Sequence, residues 1–103
     1  MNDMDGPEHG ARFTFDRLSI TDVVAVYRVT VSLAETERVS EATIARSDGT
    51  IALAPWTTAA PSEPWILANV RAFLRTIYAN HKDEAISAWP RRVRRWRTER
   101  ATE

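Results

Sequence analysis

The sequence predicts an α+β domain, in which an antiparallel β-meander of about four strands is covered on one face by a long helix. Three observations predict this arrangement: alternating apolar residues in the first half of the chain, a hairpin signal at Asp48-Gly49, and helical spacing over residues 62–81. A basic helical extension is expected to follow the long helix. The chain of 103 residues has the length of one domain with a single modest core.

The composition divides the chain into three parts. Residues 1–11 are polar and glycine-containing, so a disordered leader is expected there. Residues 12–82 are predicted to form the α+β core, and residues 83–103 the basic helical extension of the same domain. Within the core, Val23–Leu33 is the strongest predicted strand, because apolar residues occupy every second position. A weaker strand is predicted at Val39–Ala45.

The hairpin after this weaker strand carries a specific prediction of register. Asp48-Gly49 is typical of a two-residue turn. Such a turn would place Ile44 directly opposite Leu53, as expected for a buried cross-strand pair.

The long helix has one apolar face and one face of small residues. Ser62 is predicted to cap it, and Pro64 is tolerated in the first turn, where its missing N–H costs nothing. The apolar face consists of Ile66, Leu67, Val70, Phe73, Leu74, Ile77 and Tyr78. The opposite face carries Ala68, Ala72, Thr76 and Ala79. These small residues are either good helix formers on a solvated face, or they leave room for a second helix or a second protomer.

The C-terminal segment combines a tryptophan stripe with an arginine cluster. Ile86, Trp89, Val93 and Trp96 recur at steps of 3, 4 and 3 residues, which predicts a helix that Pro90 kinks or divides. The two tryptophans either pack onto the domain or form an interface. The arginines between them could bind RNA or DNA through phosphate contacts: Arg91, Arg92, Arg94, Arg95 and Arg97.

Composition excludes several classes of function. The absence of cysteine excludes disulfides, zinc thiolates, iron–sulfur clusters and thiol catalysis. The N-terminus lacks the apolar segment of a signal peptide and no run is long enough to span a membrane, so a cytoplasmic protein is expected. The 14 basic and 14 acidic residues balance, so overall charge selects no partner.

Catalytic signals are weak. The histidines are His9, in the expected leader, and His81, at the end of the long helix, and glycine occurs only three times. We therefore expect no catalytic residues, no metal site and no cofactor.

The sequence thus predicts a small non-enzymatic binding or regulatory protein that acts through protein–protein contacts, with a homodimer as one form. The residues of the predicted interaction surface are Ala68, Ala72, Thr76, Ala79, Trp89 and Trp96. The alternative is a nucleic-acid-binding module that uses the arginine cluster.

Overall fold

The computed structural model describes residues 10–33, 36–57 and 63–98. The strands are β1 (Gly10–Ile20), β2 (Val24–Ser32), β3 (Glu37–Ala45), β4 (Ile51–Leu53) and β5 (Arg92–Thr98). The helices are α1 (Pro64–His81) and a single 3₁₀ turn (Ile86–Ala88). All five strands belong to one antiparallel sheet in the order β4-β3-β2-β1-β5, and α1 packs against it. The prediction of an α+β fold with an antiparallel sheet is confirmed. None of the described helices is long and apolar enough to cross a membrane.

One face of the sheet forms the core with α1. The alternating residues of β1 and β2 place Phe13, Phe15, Val29 and Val31 on that face, where all four are buried. From α1, Phe73 meets the ring of Phe13 edge-on, with ring centroids 5.2 Å apart. The buried residues of α1 are Ile66, Val70, Phe73, Leu74 and Ile77, as its apolar spacing predicts. The predicted cap, Ser62, lies outside the described residues.

The leader prediction is wrong at its last two residues. Gly10 and Ala11 begin β1, and Ala11 is fully buried because it pairs with Arg97 of β5 on the helix-facing side. Residues 1–9 lie outside the described part of the chain.

The β3–β4 hairpin keeps the predicted faces but not the predicted pairing. Ile44 lies opposite Ile51, and Leu53 pairs with Ala42, so the register differs by two positions. The loop is wider than a two-residue turn: the Gly49 N–H donates to the Ala45 carbonyl at 2.7 Å, and Gly49 adopts a φ of 81°. Because side chains alternate with a period of two, this shift leaves Ile44 and Leu53 on the same side.

The largest correction concerns the helical extension predicted for residues 83–103, of which the structure describes residues 83–98. After the 3₁₀ turn, Trp89 takes an extended conformation with ψ of 136°, as a residue before proline prefers. Pro90 then cannot supply the N–H of a continuing helix, and the chain runs on as β5 along β1. The sheet therefore has five strands, and this segment completes it.

Side chains from the sheet anchor the connection into β5. The Tyr27 hydroxyl donates to the Pro90 carbonyl at 2.7 Å, and the Arg17 guanidinium donates to the Trp89 carbonyl at 2.9 Å. Burial raises the pKa of Tyr27 to about 12, so the phenol stays a neutral donor at physiological pH.

Candidate binding edge of the sheet

β5 forms one edge of the sheet, and its seven residues make it the longer of the two edge strands, since β4 has three. The Arg17 N–H donates to the Arg91 carbonyl at 2.9 Å. In an antiparallel pair, hydrogen-bonded and non-hydrogen-bonded residues alternate, so Val93, Arg95 and Arg97 direct their backbone groups toward β1. The backbone groups of Arg92, Arg94 and Trp96 consequently point outward from the sheet.

The arginines of β5 lie on both faces of the sheet. Arg95 and Arg97 pair with Phe13 and Ala11, which face α1, so these two arginines share the helix side. Arg92, Arg94 and Trp96 alternate with them and lie on the opposite face. The side chains of the whole predicted cluster are exposed: Arg91, Arg92, Arg94, Arg95 and Arg97.

Two of these arginines fold back over the edge of the sheet. Arg95 Nη1 donates to the Arg94 carbonyl at 2.7 Å, and Arg97 Nη1 donates to the Trp96 carbonyl at 3.2 Å. Both acceptors are carbonyls that point outward. The guanidinium of Arg97 also lies 5.1 Å from the ring centroid of Phe73, in cation–π geometry. Arginine side chains of the same strand thus cap two of the three outward carbonyls of this edge.

A groove lies between α1 and β5 on the helix side; it is called the α1–β5 groove here. It has a volume of about 260 Å³. Phe73, Ile77 and Val93 contribute its apolar lining, and Asn80 and Arg95 are among its polar lining residues. An apolar surface bordered by a cation can accommodate an apolar side chain next to a carboxylate.

The sheet face opposite α1 is mixed in charge where it meets β5. A shallow polar depression there is lined by Arg12, Thr14, Asp16, Thr30, Ser32, Glu37, Arg92 and Arg94. Arg92 Nε donates to Asp16 Oδ1 at 2.6 Å. Trp96 pairs across the sheet with Arg12 and is 42% exposed. This face therefore presents an accessible aromatic ring among both cations and carboxylates.

The two C-terminal tryptophans have different environments. Trp89 is 1% exposed and belongs to the core, with its ring centroid 5.4 Å from the Arg46 guanidinium and 6.2 Å from the His81 ring. Trp89 therefore packs onto the domain, which is one of the two predicted alternatives, and is no part of the predicted interaction surface. Trp96 is on the surface, on the face of the sheet that α1 does not cover.

The small residues of α1 occupy its solvent-facing side. Their side chains are exposed, as predicted: Ala68, Ala72, Thr76 and Ala79. The Thr76 hydroxyl donates to the Ala72 carbonyl at 3.0 Å, so its hydrogen bond stays within the helix. High helix propensity is enough to explain alanine on this side. The homodimer stays a prediction.

The described residues contain no group of three or more His, Cys, Asp or Glu side chains that could hold a metal ion. His81 Nδ1 lies 2.7 Å from Glu84 Oε1, next to the end of α1. This contact joins the helix end to the following turn.

Comparison of the chain with protein-family models, curated proteins and solved structures found no match.

Proposed function

We propose that the chain is a small non-enzymatic protein-binding module that binds its partner along β5. The observation that carries this proposal is the edge strand itself, which combines outward backbone groups with exposed arginines on both faces. The α1–β5 groove lies beside it and supplies apolar surface. Edge strands of this kind bind extended segments of partner proteins through main-chain hydrogen bonds and side-chain pockets.

Charge distribution favours a protein over a nucleic acid. Asp16 of β1 and Glu37 of β3 line the depression that also contains Arg92 and Arg94, so a phosphate chain that lies across that face would meet carboxylates. A strand added at the edge of the sheet would instead lie next to β5 alone. Asp16 already neutralises Arg92 at 2.6 Å. The groove combines apolar side chains with Arg95, so it can bury an apolar side chain, which a phosphate chain does not supply.

The test is selection of binders from a displayed random-peptide library, followed by amide chemical-shift mapping of the selected peptides on the protein. We expect shifts concentrated on β5 and the α1–β5 groove, and loss of binding in the double variant Arg94→Glu/Arg95→Glu. The matched control is Arg71→Glu/Arg75→Glu, which changes charge equally at exposed positions on α1. Selected peptides that bind elsewhere, or only with a Kd weaker than about 1 mM, would refute the proposal.

Nucleic-acid binding is the second candidate, and the exposed ring of Trp96 favours it, since that ring shares its face with Arg12 and Arg94. If it is the function, a labelled single-stranded oligonucleotide should bind with affinity that falls steeply with salt, by about 0.7 log units per log unit of salt for each phosphate contact. Trp96→Ala should then cost about 1–3 kcal/mol per stacked base. Binding that ignores both salt and this substitution would remove the candidate.

A further inference from the structure

We propose that the partner segment is an acidic, extended stretch of protein that adds to β5 as a sixth strand. This inference rests on the proposed function and deepens it by naming the chemistry of the partner. It is carried by the geometry of the edge, by the charge of its side chains, and by the position of the groove beside it.

The backbone of β5 offers a template for a further strand. Arg92, Arg94 and Trp96 each direct one N–H and one carbonyl outward, which provides three donors and three acceptors. At about 3.3 Å per residue, a strand the length of β5 spans about 23 Å. The opposite edge, β4, has only three residues and offers a much shorter template.

The charge of the edge selects an acidic occupant. Among the five arginines of residues 91–97, Arg92 is the one with a carboxylate within 4.0 Å in the described part of the chain. The other four give the edge a positive charge that attracts the carboxylates of a partner. A second copy of β5 would instead place arginines against arginines, and like charges in opposed cross-strand positions are destabilising. The edge therefore disfavours self-pairing and favours an acidic segment.

The arginines that cap the edge can change partners without leaving a polar group unsatisfied. An incoming strand would donate its own N–H groups to the Arg94 and Trp96 carbonyls, which now accept from Arg95 and Arg97. The two released guanidinium groups, which are exposed on the helix side, would then be solvated by water. Each carbonyl that loses an arginine donor gains a backbone N–H donor, so strand addition leaves no polar group of this edge unsatisfied.

The groove adds a requirement for alternation. Side chains of neighbouring strands that lie side by side point to the same face, so every second residue of the incoming strand would face the helix side. These residues would lie over the α1–β5 groove, next to Val93 and Phe73, and would best be apolar. The residues between them would lie on the opposite face beside Arg94, which has no carboxylate within 4.0 Å in the described part of the chain, and would best be acidic.

The probe is a synthetic, fluorescently labelled peptide of sequence EVEIEVE with blocked ends. We expect it to bind the full chain, as measured by fluorescence anisotropy. Two control peptides separate the parts of the proposal: EEEEVIV, which has the same composition but no alternation, and EVEIEVE with every second backbone amide N-methylated. The N-methylated peptide should bind at least about fivefold more weakly, because it loses two or three hydrogen bonds at about 0.5–1.5 kcal/mol each. EEEEVIV should also bind more weakly, because its apolar residues no longer all face the groove.

Protein variants test the charge requirement. Arg94→Glu/Arg95→Glu should weaken binding of EVEIEVE by at least about tenfold, whereas Arg71→Glu/Arg75→Glu should change it by less than about twofold. Circular dichroism of each variant checks that the fold is retained, and the single variants Arg94→Gln and Arg95→Gln serve if a double variant does not fold.

The outcomes distinguish this inference from the function on which it rests. Equal binding of the N-methylated peptide would overturn strand addition, and the protein-binding function would stand if library-selected peptides still map to β5. If EVEIEVE does not bind but selected non-acidic peptides bind at β5, the requirement for an acidic partner would be overturned and the protein-binding function would stand. Tighter binding of a single-stranded oligonucleotide than of any peptide would overturn both and support the nucleic-acid candidate.

Discussion

Replacing Trp89 with alanine is expected to lower the free energy of unfolding by about 3–5 kcal/mol. The side chain is 1% exposed. A buried tryptophan removes on the order of 200 Å² from water, which at about 25 cal/mol per Å² is worth about 5 kcal/mol as an upper bound. Contact with the Arg46 guanidinium at 5.4 Å adds to this. The indole Nε1 has no hydrogen-bond partner in the described part of the chain, so its removal breaks no such bond there.

Trp96→Ala is the matched control, because Trp96 lies in the same segment but is 42% exposed. Its cost is expected to stay below about 1 kcal/mol. The assay is urea unfolding followed by far-ultraviolet circular dichroism, which does not depend on the fluorophores that the substitutions remove. In a thermal scan, a loss of about 3 kcal/mol should lower the melting temperature by about 12 °C or more.

The core role of Trp89 would be refuted by a small effect of its substitution. A loss below about 1 kcal/mol for Trp89→Ala, or equal losses for the two variants, would show that the C-terminal segment does not complete the core. Residues 83–103 would then be peripheral, and the assignment of β5 as the binding edge would fall with the core role of Trp89.

Three further predictions concern the buried Tyr27, the contact between Gly49 and Tyr78, and the contribution of β5 to the sheet. Burial raises the pKa of Tyr27 to about 12 in the folded chain. The unfolded chain therefore loses the phenol proton from about pH 10 upward, while the folded chain keeps it up to about pH 12. The free energy of unfolding should then fall between about pH 10 and about pH 12 by up to about 1.4 kcal/mol per pH unit. Tyr27→Phe should lack that component in urea unfolding measured across this range, and an unchanged slope would contradict the assignment. Gly49→Ala should lower the free energy of unfolding by about 1–3 kcal/mol, because φ of Gly49 is 81° and the new Cβ would lie 2.7 Å from the Tyr78 ring. In a Tyr78→Leu background the same substitution should cost less, as measured by thermal unfolding. Truncation after Ser87 removes the core tryptophan and β5, so calorimetry should show no cooperative transition, and a retained one would contradict the five-stranded core.

The elements that the sequence predicts well are those whose pattern is long and depends on one period. The apolar spacing of α1 extends over several turns, and its buried residues match the predicted face. The alternation in β2 is equally clear: Ala25, Tyr27, Val29 and Val31 are all buried. For α1 and β2 the local sequence is sufficient to predict the element and its buried face, because the apolar face of the helix packs on the apolar face of the sheet.

β5 is missed because its residues fit two patterns. The spacing of Ile86, Trp89, Val93 and Trp96 suits one side of a helix, yet Val93 and Trp96 end on opposite faces of the sheet. The choice between helix and strand is decided by the edge of β1, which offers seven residues for pairing and lies far from residues 92–98 in the sequence. Pro90 is the one local signal for the change, since it ends a helix as readily as it kinks one.

The error in the β3–β4 hairpin has a similar cause. Asp48-Gly49 correctly marks the turn, but the number of loop residues depends on contacts beyond the dipeptide. Tyr78 of α1 lies directly against Gly49, so the loop conformation and the helix position are adjusted to each other. The residue pattern thus determines which side chains of each strand face the core, while the pairing register depends on packing.

The change from helix to strand also alters what the arginine cluster can do. In the interior of a helix, the backbone groups of these residues would bond to each other, and the five side chains would provide only charge. On an edge strand, the same residues divide between two faces and leave the backbone groups of Arg92, Arg94 and Trp96 outward. Charge alone would attract any polyanion, whereas charge next to a free strand edge and an apolar groove is complementary to an acidic polypeptide. That combination, rather than the count of arginines, is the reason to expect a protein partner.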